Sequence, residues 1–100
     1  MGMVKRFDVY MSETRAMRPC VVLSPDEMNN ALSYVIIAPI TVVERMYPTR
    51  VGIRLKGKQG QIALDLMRTI PQTALKEKIG TLSEQTRTEI EALLKRFFAI

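Results

Sequence analysis

The pattern of apolar and polar positions predicts short strands along most of the chain. Residues 34–41 give the clearest one, because their apolar run suits a strand buried on both faces and is too short for a core helix. Val and Ile favour a pleated surface, whereas Pro39 removes a ladder donor, so strand pairing should change there. We expect this strand to end with Thr41 at the rim of the core and the rest of the chain to fold around it.

Other segments alternate with the period of two that a half-buried strand requires. Residues 5–11 predict a first strand, with Phe7, Val9 and Met11 on its inner face. Residues 49–56 predict another, with Arg50, Arg54 and Lys56 facing outward. Further extended segments are predicted at residues 18–24, 61–70 and 78–81, a hairpin connection at 57–60, and a single helical turn at 71–75.

A short helix is predicted after the second strand. Ser24 is the expected N-cap, Pro25 suits the first helical position, and Glu27 completes a capping box. Asn29 and Asn30 predict that this helix ends in a turn soon afterwards.

The C-terminal segment predicts a longer amphipathic helix. A second capping box begins it, with Thr81 or Ser83 as the cap and Glu84 following. One apolar stripe then recurs at helical spacing: Ile90, Leu93, Leu94 and Phe97. Five or more short strands and one terminal helix predict a mainly β fold, a small antiparallel barrel plus helix, in a single domain over residues 1–100.

Composition excludes several kinds of site. The chain contains one cysteine, Cys20, and no histidine, so it can form no internal disulfide or zinc cluster and lacks the commonest general base. We therefore expect no metal and no cofactor. No apolar segment approaches the ~20 residues that cross a bilayer, and no signal peptide is recognised, so a cytoplasmic protein is expected.

The net charge of +5 is unevenly distributed. Between positions 45 and 64 there are five basic residues and no acidic one: Arg45, Arg50, Arg54, Lys56 and Lys58. Such a block suits a polyanion, most simply a nucleic acid. A merely solvated basic face remains an equal alternative on charge alone.

Five short segments occur in an order that resembles the MazF/PemK family of toxins from bacterial toxin–antitoxin pairs. They are FDVY at 7–10, RPCVV at 18–22, IAPIT at 37–41, Asp65 followed by RTI at 68–70, and IGTLSE at 79–84. The resemblance covers nearly the whole chain. It implies an SH3-like barrel of the PemK/CcdB type, a homodimer, and a ribosome-independent endoribonuclease that cuts mRNA at short specific sequences. It also implies an antitoxin partner whose tail blocks the RNA groove.

The resemblance also implies roles for single residues. Arg18 and Thr41 correspond to the catalytic pair, and Asp65 and Arg68 correspond to substrate-binding positions. By their chemistry, Arg18 would stabilise phosphate charge, Thr41 would donate a hydrogen bond, and Asp65 is a candidate general base. Further RNA-binding candidates are Arg15, Arg50, Arg54 and Lys56. Without the resemblance, Arg18 would be interpreted as a surface arginine and Thr41 as a residue capping a turn.

The expected chemistry is attack of the RNA 2′-OH on the adjacent phosphate, which leaves a 2′,3′-cyclic phosphate and a 5′-OH. Three departures from the family pattern bear on it: Phe7 replaces a usual Gly, Leu66 replaces a common Gln, and the loop at residues 12–17 is shorter. Two rival functions remain, a non-catalytic RNA-binding barrel and a CcdB-type gyrase inhibitor. The second resembles this chain less, because that class has a Trp-containing tail and this chain has no Trp.

Overall fold

The strand Tyr34–Thr41, β3, lies at the centre of the sheet and pairs with three other strands. The computed structural model describes residues 3–14 and 16–99. The boundaries of β3 coincide with those expected from the sequence. Its pairing also changes at Pro39, as predicted, because one neighbouring strand is paired only as far as Pro39 and another begins at Ile40.

The strands form one antiparallel half-barrel. They are β1 (Asp8–Glu13), β2 (Met17–Val22), β3, β4 (Arg50–Leu55), β5 (Lys58–Ala63), β6 (Arg68–Pro71) and β7 (Leu75–Thr81). The helices are α1 (Asp26–Ala31) and α2 (Glu84–Phe97), with 3₁₀ turns at Leu64–Leu66 and Gln72–Ala74. The sheet order is β4-β5-β3-β2-β1-β7, and β6 pairs with the first half of β3. The mainly β fold with a C-terminal helix is therefore confirmed.

The core occupies both faces of β2 and β3, as the continuous apolar run of β3 predicts. One cluster contains Val21, Ala38 and Ile40 and is covered by α2, whose Ile90 is fully buried. The opposite cluster contains Cys20, Val22, Val35, Ile37 and Ile70. Alternation along β2 and β3 thus assigns even-numbered residues of β2 and odd-numbered residues of β3 to the same face.

The expected first strand begins later than residue 5, because residues 5–8 form a turn. The amide of Asp8 donates to the Lys5 carbonyl (3.2 Å), and the amide of Phe7 donates to the Val22 carbonyl (2.7 Å). Phe7 has φ 72° although its side chain is buried. This left-handed region favours glycine. The sequence analysis expected Phe7 on the inner face of a regular strand and missed this backbone conformation.

The predicted capping box at Ser24 is wrong. No side chain caps α1, whose N-cap position is Pro25. The buried Ser24 hydroxyl instead donates to the Asn29 side-chain carbonyl and accepts from the Ile36 amide of β3 (3.1 Å). Asn29 lies inside α1 and donates to the Ser24 carbonyl (2.9 Å), so it joins the helix to the sheet rather than ending it.

The hairpin between β4 and β5 turns earlier than predicted. Leu55 pairs with Lys58, and Lys56 (φ 49°) and Gly57 (φ 79°) form a two-residue turn with two positive φ angles. Gly60 consequently lies within β5. A Cβ there would meet the Thr41 carbonyl oxygen at 3.1 Å, so β5 approaches β3 closely.

Residues 61–70 are not one extended run, because the 3₁₀ turn Leu64–Leu66 separates β5 from β6. The predicted helical turn near 71–75 is present as Gln72–Ala74. Ser83 caps α2 by accepting from the Thr86 amide (3.3 Å), and the apolar stripe of α2 packs on the core. In residues 3–14 and 16–99, no helix has both the length and the apolar composition to cross a membrane.

Candidate active site

Arg18 and Thr41 lie on the same face of the sheet and line one cavity. Cys20 pairs with Pro39, so continuing that register by two residues along each strand brings Arg18 opposite Thr41. Both residues line a cavity of about 520 Å³, here named the Thr41 cavity. Period-two alternation thus places the two predicted catalytic residues on one face, where both line this cavity; their catalytic roles stay predictions.

The Thr41 hydroxyl has a local hydrogen-bond partner. Thr41 is half-buried, and its Oγ1 donates to the Val43 carbonyl at 3.2 Å. This is the turn contact that the sequence analysis left open as the alternative role. To donate to a bound ligand, the hydroxyl would rotate about its Cβ–Oγ1 bond and leave the Val43 carbonyl.

Arg18 also lines a second cavity, of about 490 Å³. This Arg68 cavity is further lined by Ser12, Thr14, Leu66 and Arg68. Ser12 pairs with Arg18 across β1 and β2, and its Oγ donates to the Arg18 carbonyl at 3.0 Å. Arg68 Nη2 donates to Thr14 Oγ1 at 2.7 Å. Arg18, an exposed residue, thus lines both cavities.

The two cavities carry positive charge. Lys58 joins Arg18 in the Thr41 cavity, and Arg68 joins it in the other. Among the described lining residues of either cavity there is no Asp or Glu. Lys58 belongs to the basic block of residues 45–64, but its position in the predicted hairpin connection at 57–60 kept it off the set of predicted site residues. Cations without neighbouring acids favour a phosphate-bearing ligand.

Asp65 is bound by two other elements. Its carboxylate accepts from Arg50 Nε (2.8 Å), Arg50 Nη2 (3.2 Å) and Thr49 Oγ1 (2.9 Å). Hydrogen bonding from Arg50, assisted by Thr49, lowers the pKa of Asp65. Asp65 is not among the described residues that line either cavity. The Arg50 guanidinium also lies over the Tyr47 ring, 5.1 Å from its centroid.

The remaining predicted RNA-binding residues are dispersed. Arg54 donates to the Gly57 carbonyl (3.4 Å) and lines a separate cleft, with residues of β4 and β7. Lys56 is exposed in the β4–β5 turn. Arg15 lies outside the described residues. Of the predicted RNA-binding residues that the structure describes, Arg68 shares a cavity with Arg18; the roles of all of them stay predictions.

Over residues 3–14 and 16–99, no three side chains of His, Cys, Asp or Glu are grouped to hold a metal ion.

Residues 4–98 match the family described as PemK-like, MazF-like toxin of type II toxin–antitoxin systems. The chain belongs to this family. It is similar to Endoribonuclease MazF from Staphylococcus epidermidis, with 34% identity over 106 residues that span 92% of this chain and 88% of the relative. The family resemblance recognised in the sequence is therefore confirmed.

Solved structures show the same fold. Mycobacterium tuberculosis toxin MazF-mt6 superposes with a TM-score of 0.84 at 22% identity, covering 93% of this chain and 97% of that one. MazE-MazF (Form-I) from Deinococcus radiodurans gives a TM-score of 0.86 at 18% identity, covering 100% of both chains. These likenesses establish the half-barrel as the fold of MazF toxins.

Proposed function

We propose that this protein is an endoribonuclease toxin that cuts single-stranded mRNA at specific sequences, independently of ribosomes, and is neutralised by an antitoxin. The observation that carries the proposal is that Arg18 and Thr41 line one positively charged cavity, and that Arg18 also lines a second. A phosphodiester at Arg18 would have room for a nucleotide on each side. Membership in the toxin family, and similarity to a relative named Endoribonuclease MazF, support the same conclusion.

RNA supplies its own nucleophile, so the proposed reaction needs no nucleophile from the protein. The 2′-OH attacks the adjacent phosphorus, the bond to the 5′ oxygen breaks, and the products are a 2′,3′-cyclic phosphate and a 5′-OH. Arg18 binds the phosphate oxygens with forked N–H donors and stabilises the charge that develops on them. A guanidinium is a permanent cation and a poor proton acceptor, so Arg18 is assigned to charge stabilisation. Thr41 donates to a phosphate oxygen after rotating away from Val43.

Asp65 is assigned a positioning role. A carboxylate that accepts three hydrogen bonds and has a lowered pKa is a weak base. Its contacts join the 3₁₀ turn Leu64–Leu66 to Arg50 at the start of β4. The same 3₁₀ turn includes Leu66, which lines the Arg68 cavity.

The proposed partners are a second copy of this chain and an antitoxin protein. The family consists of toxins of type II toxin–antitoxin systems, and one similar structure is of MazE-MazF. A homodimer would extend the basic surface along a longer single-stranded RNA. Because mRNA is the proposed substrate, the proposed location is the cytoplasm.

The test is to incubate a long RNA with the purified protein in EDTA and to map the new 5′ ends. Discrete cuts with 5′-OH ends are expected, and a single 2′-deoxy substitution at the cut nucleotide should prevent cleavage there. Removing a preorganised donor typically lowers rate ~100- to 1000-fold, so Arg18→Ala should lose at least ~100-fold. Arg96→Ala, at an exposed position near the end of α2, is the matched control and should cut normally.

Two outcomes would overturn the proposal. Intact RNA that is nonetheless bound, with affinity falling steeply as salt rises, would favour the non-catalytic RNA-binding barrel. Intact RNA with no binding, together with inhibition of gyrase supercoiling, would favour the CcdB-type function. Cleavage by Arg18→Ala at the wild-type rate would instead remove Arg18 from the mechanism.

A further inference from the structure

The Arg68 cavity contains an apolar wall beside its cations. Pro19, Ile37, Pro39 and Leu66 contribute to it. Leu66 is 50% exposed, although it lies on a 3₁₀ turn two residues after the buried Leu64. An exposed leucine alone needs no explanation, but one that faces a cavity together with three other apolar residues forms a surface that a flat apolar ligand could cover.

The neutral polar groups of this cavity already have partners within the protein. Ser12 Oγ donates to the Arg18 carbonyl, and Thr14 Oγ1 accepts from Arg68. Among the described lining side chains, this leaves the guanidinium groups of Arg18 and Arg68 as the charged donors. Guanidinium groups match phosphate oxygens, and every nucleotide within a chain has a phosphate on each side of its sugar.

We propose that the Arg68 cavity holds the base of one nucleotide next to the scissile phosphate through apolar contact with Leu66, without reading its hydrogen-bonding edge. This inference rests on the proposed function, because it assigns one subsite of that RNA. Contact through the face of a base tolerates any of the four bases, since each has an apolar face. The enzyme should therefore accept all four bases at one position beside the cut, while its selectivity comes from other positions.

The first experiment is a double-mutant cycle on binding. The probe is a short single-stranded RNA that spans the mapped cut site and is made uncleavable by a 2′-deoxyribose at the attacking nucleotide. A series of further probes removes the base at one position at a time. Leu66→Ala should weaken binding of the intact RNA roughly three- to tenfold. Leu66→Ala should barely change the binding of the RNA that lacks the base predicted to lie in the Arg68 cavity, because that RNA has no base there for Leu66 to contact. Leu32→Ala, at an exposed leucine outside the described lining of both cavities, is the matched control and should change neither.

The second experiment maps base preference with a randomised RNA pool. At that flanking position the wild type should use the four bases within about fivefold of one another. Leu66→Gln supplies an amide that can pair with a base edge, so it should create a preference of about tenfold or more there and leave the other positions unchanged. Leu32→Gln should give the wild-type pattern.

The failures can be told apart. If the wild type does not cut RNA in EDTA, the proposed function fails. If it cuts, but Leu66→Ala weakens the intact and all abasic RNAs equally, the inference fails and the function stands. A wild-type preference above about tenfold at the position coupled to Leu66 would also overturn it, because that would indicate hydrogen-bond readout by a group such as Arg68.

Discussion

Phe7 combines two opposing effects that can be separated by replacing it with Gly and with Ala. Its side chain is only 6% exposed and belongs to the core cluster that α2 covers, whereas its backbone has φ 72°. Removing the ring creates a cavity. Replacement by Gly additionally relieves the left-handed backbone, and replacement by Ala does not.

The magnitudes decide the order of stability. Truncating a buried Phe costs about 3–5 kcal/mol. A left-handed backbone costs a non-glycine residue about 1–2 kcal/mol, and Gly gives back about 0.5–1 kcal/mol of that as extra unfolded-state entropy. Phe7→Gly should therefore be destabilised by about 3 kcal/mol, and Phe7→Ala by about 1 kcal/mol more. At an ordinary strand position the order of Gly and Ala would be reversed.

Urea unfolding at one fixed protein concentration measures this order, and the fixed concentration removes any effect of dimer dissociation. With a slope of about 1–3 kcal/mol per molar urea, the midpoint of Phe7→Gly should fall by roughly 1–3 M. If Phe7→Ala equals or exceeds Phe7→Gly in stability, the backbone at Phe7 is not strained. If Phe7→Gly exceeds the wild type, the strain outweighs the burial of the ring.

Two other substitutions test the surroundings of the site. Gly60→Ala places a Cβ 3.1 Å from the Thr41 carbonyl oxygen, so it should lower the free energy of unfolding in urea by about 1–3 kcal/mol and also lower the rate of RNA cleavage by displacing Thr41. The control Gly80→Ala, whose Cβ would meet nothing within 4 Å, should change stability by under about 1 kcal/mol. Equal losses of stability in the two variants would contradict this. The hydrogen bonds from Arg50 hold the pKa of Asp65 below its ordinary value of 3.8, so their stabilisation is present above that pH and is lost as pH falls through the lowered value. Asp65→Asn should accordingly be less stable than the wild type at neutral pH, with a gap in urea midpoint that closes in acid, and a pH-independent gap would count against the pairing.

The sequence predicted best those elements whose burial pattern is simple. β3 is an eight-residue strand buried on both faces, and its apolar run has no competing interpretation by length. Alternation located β4, and the i, i+3, i+4 spacing located the stripe of α2. In each case the spacing of apolar residues along a short segment indicates directly which side chains face the core.

The sequence failed where the backbone is unusual or where a polar group serves a distant partner. Rules for turns look for glycine, so positive φ at Phe7 and Lys56 was missed, and the hairpin was placed beyond its true position. Ser24 matches an N-cap locally, yet its hydroxyl bonds to Asn29 and to the amide of Ile36 in β3. That partner is defined only once the strands have assembled.

The candidate site depends on both kinds of information. Alternation assigns Arg18 and Thr41 each to one face of its strand. That the two residues line the same cavity follows from the pairing of β2 with β3 across a connection that includes α1. Lys58 enters the Thr41 cavity only because the turn falls at Lys56 and Gly57. The pairing of Asp65 with Arg50, 15 residues away, likewise required the fold.

The opening at Arg18 follows from where the β2–β3 ladder ends. The last pair is Cys20 with Pro39, and the next pair in the same register would join Pro19 to Ile40. Leu23 donates to the Ile36 carbonyl in the same register, so odd-numbered residues of β2 have their amides toward β3, and Pro19 has no amide hydrogen to donate there. On its opposite edge β3 pairs with β5 from Ile40 onward, and Pro19 lines the Thr41 cavity on the β2 side. The missing donor at Pro19 therefore explains why the β2–β3 ladder stops before Arg18 and Thr41, which line the cavity in which the proposed phosphodiester would bind.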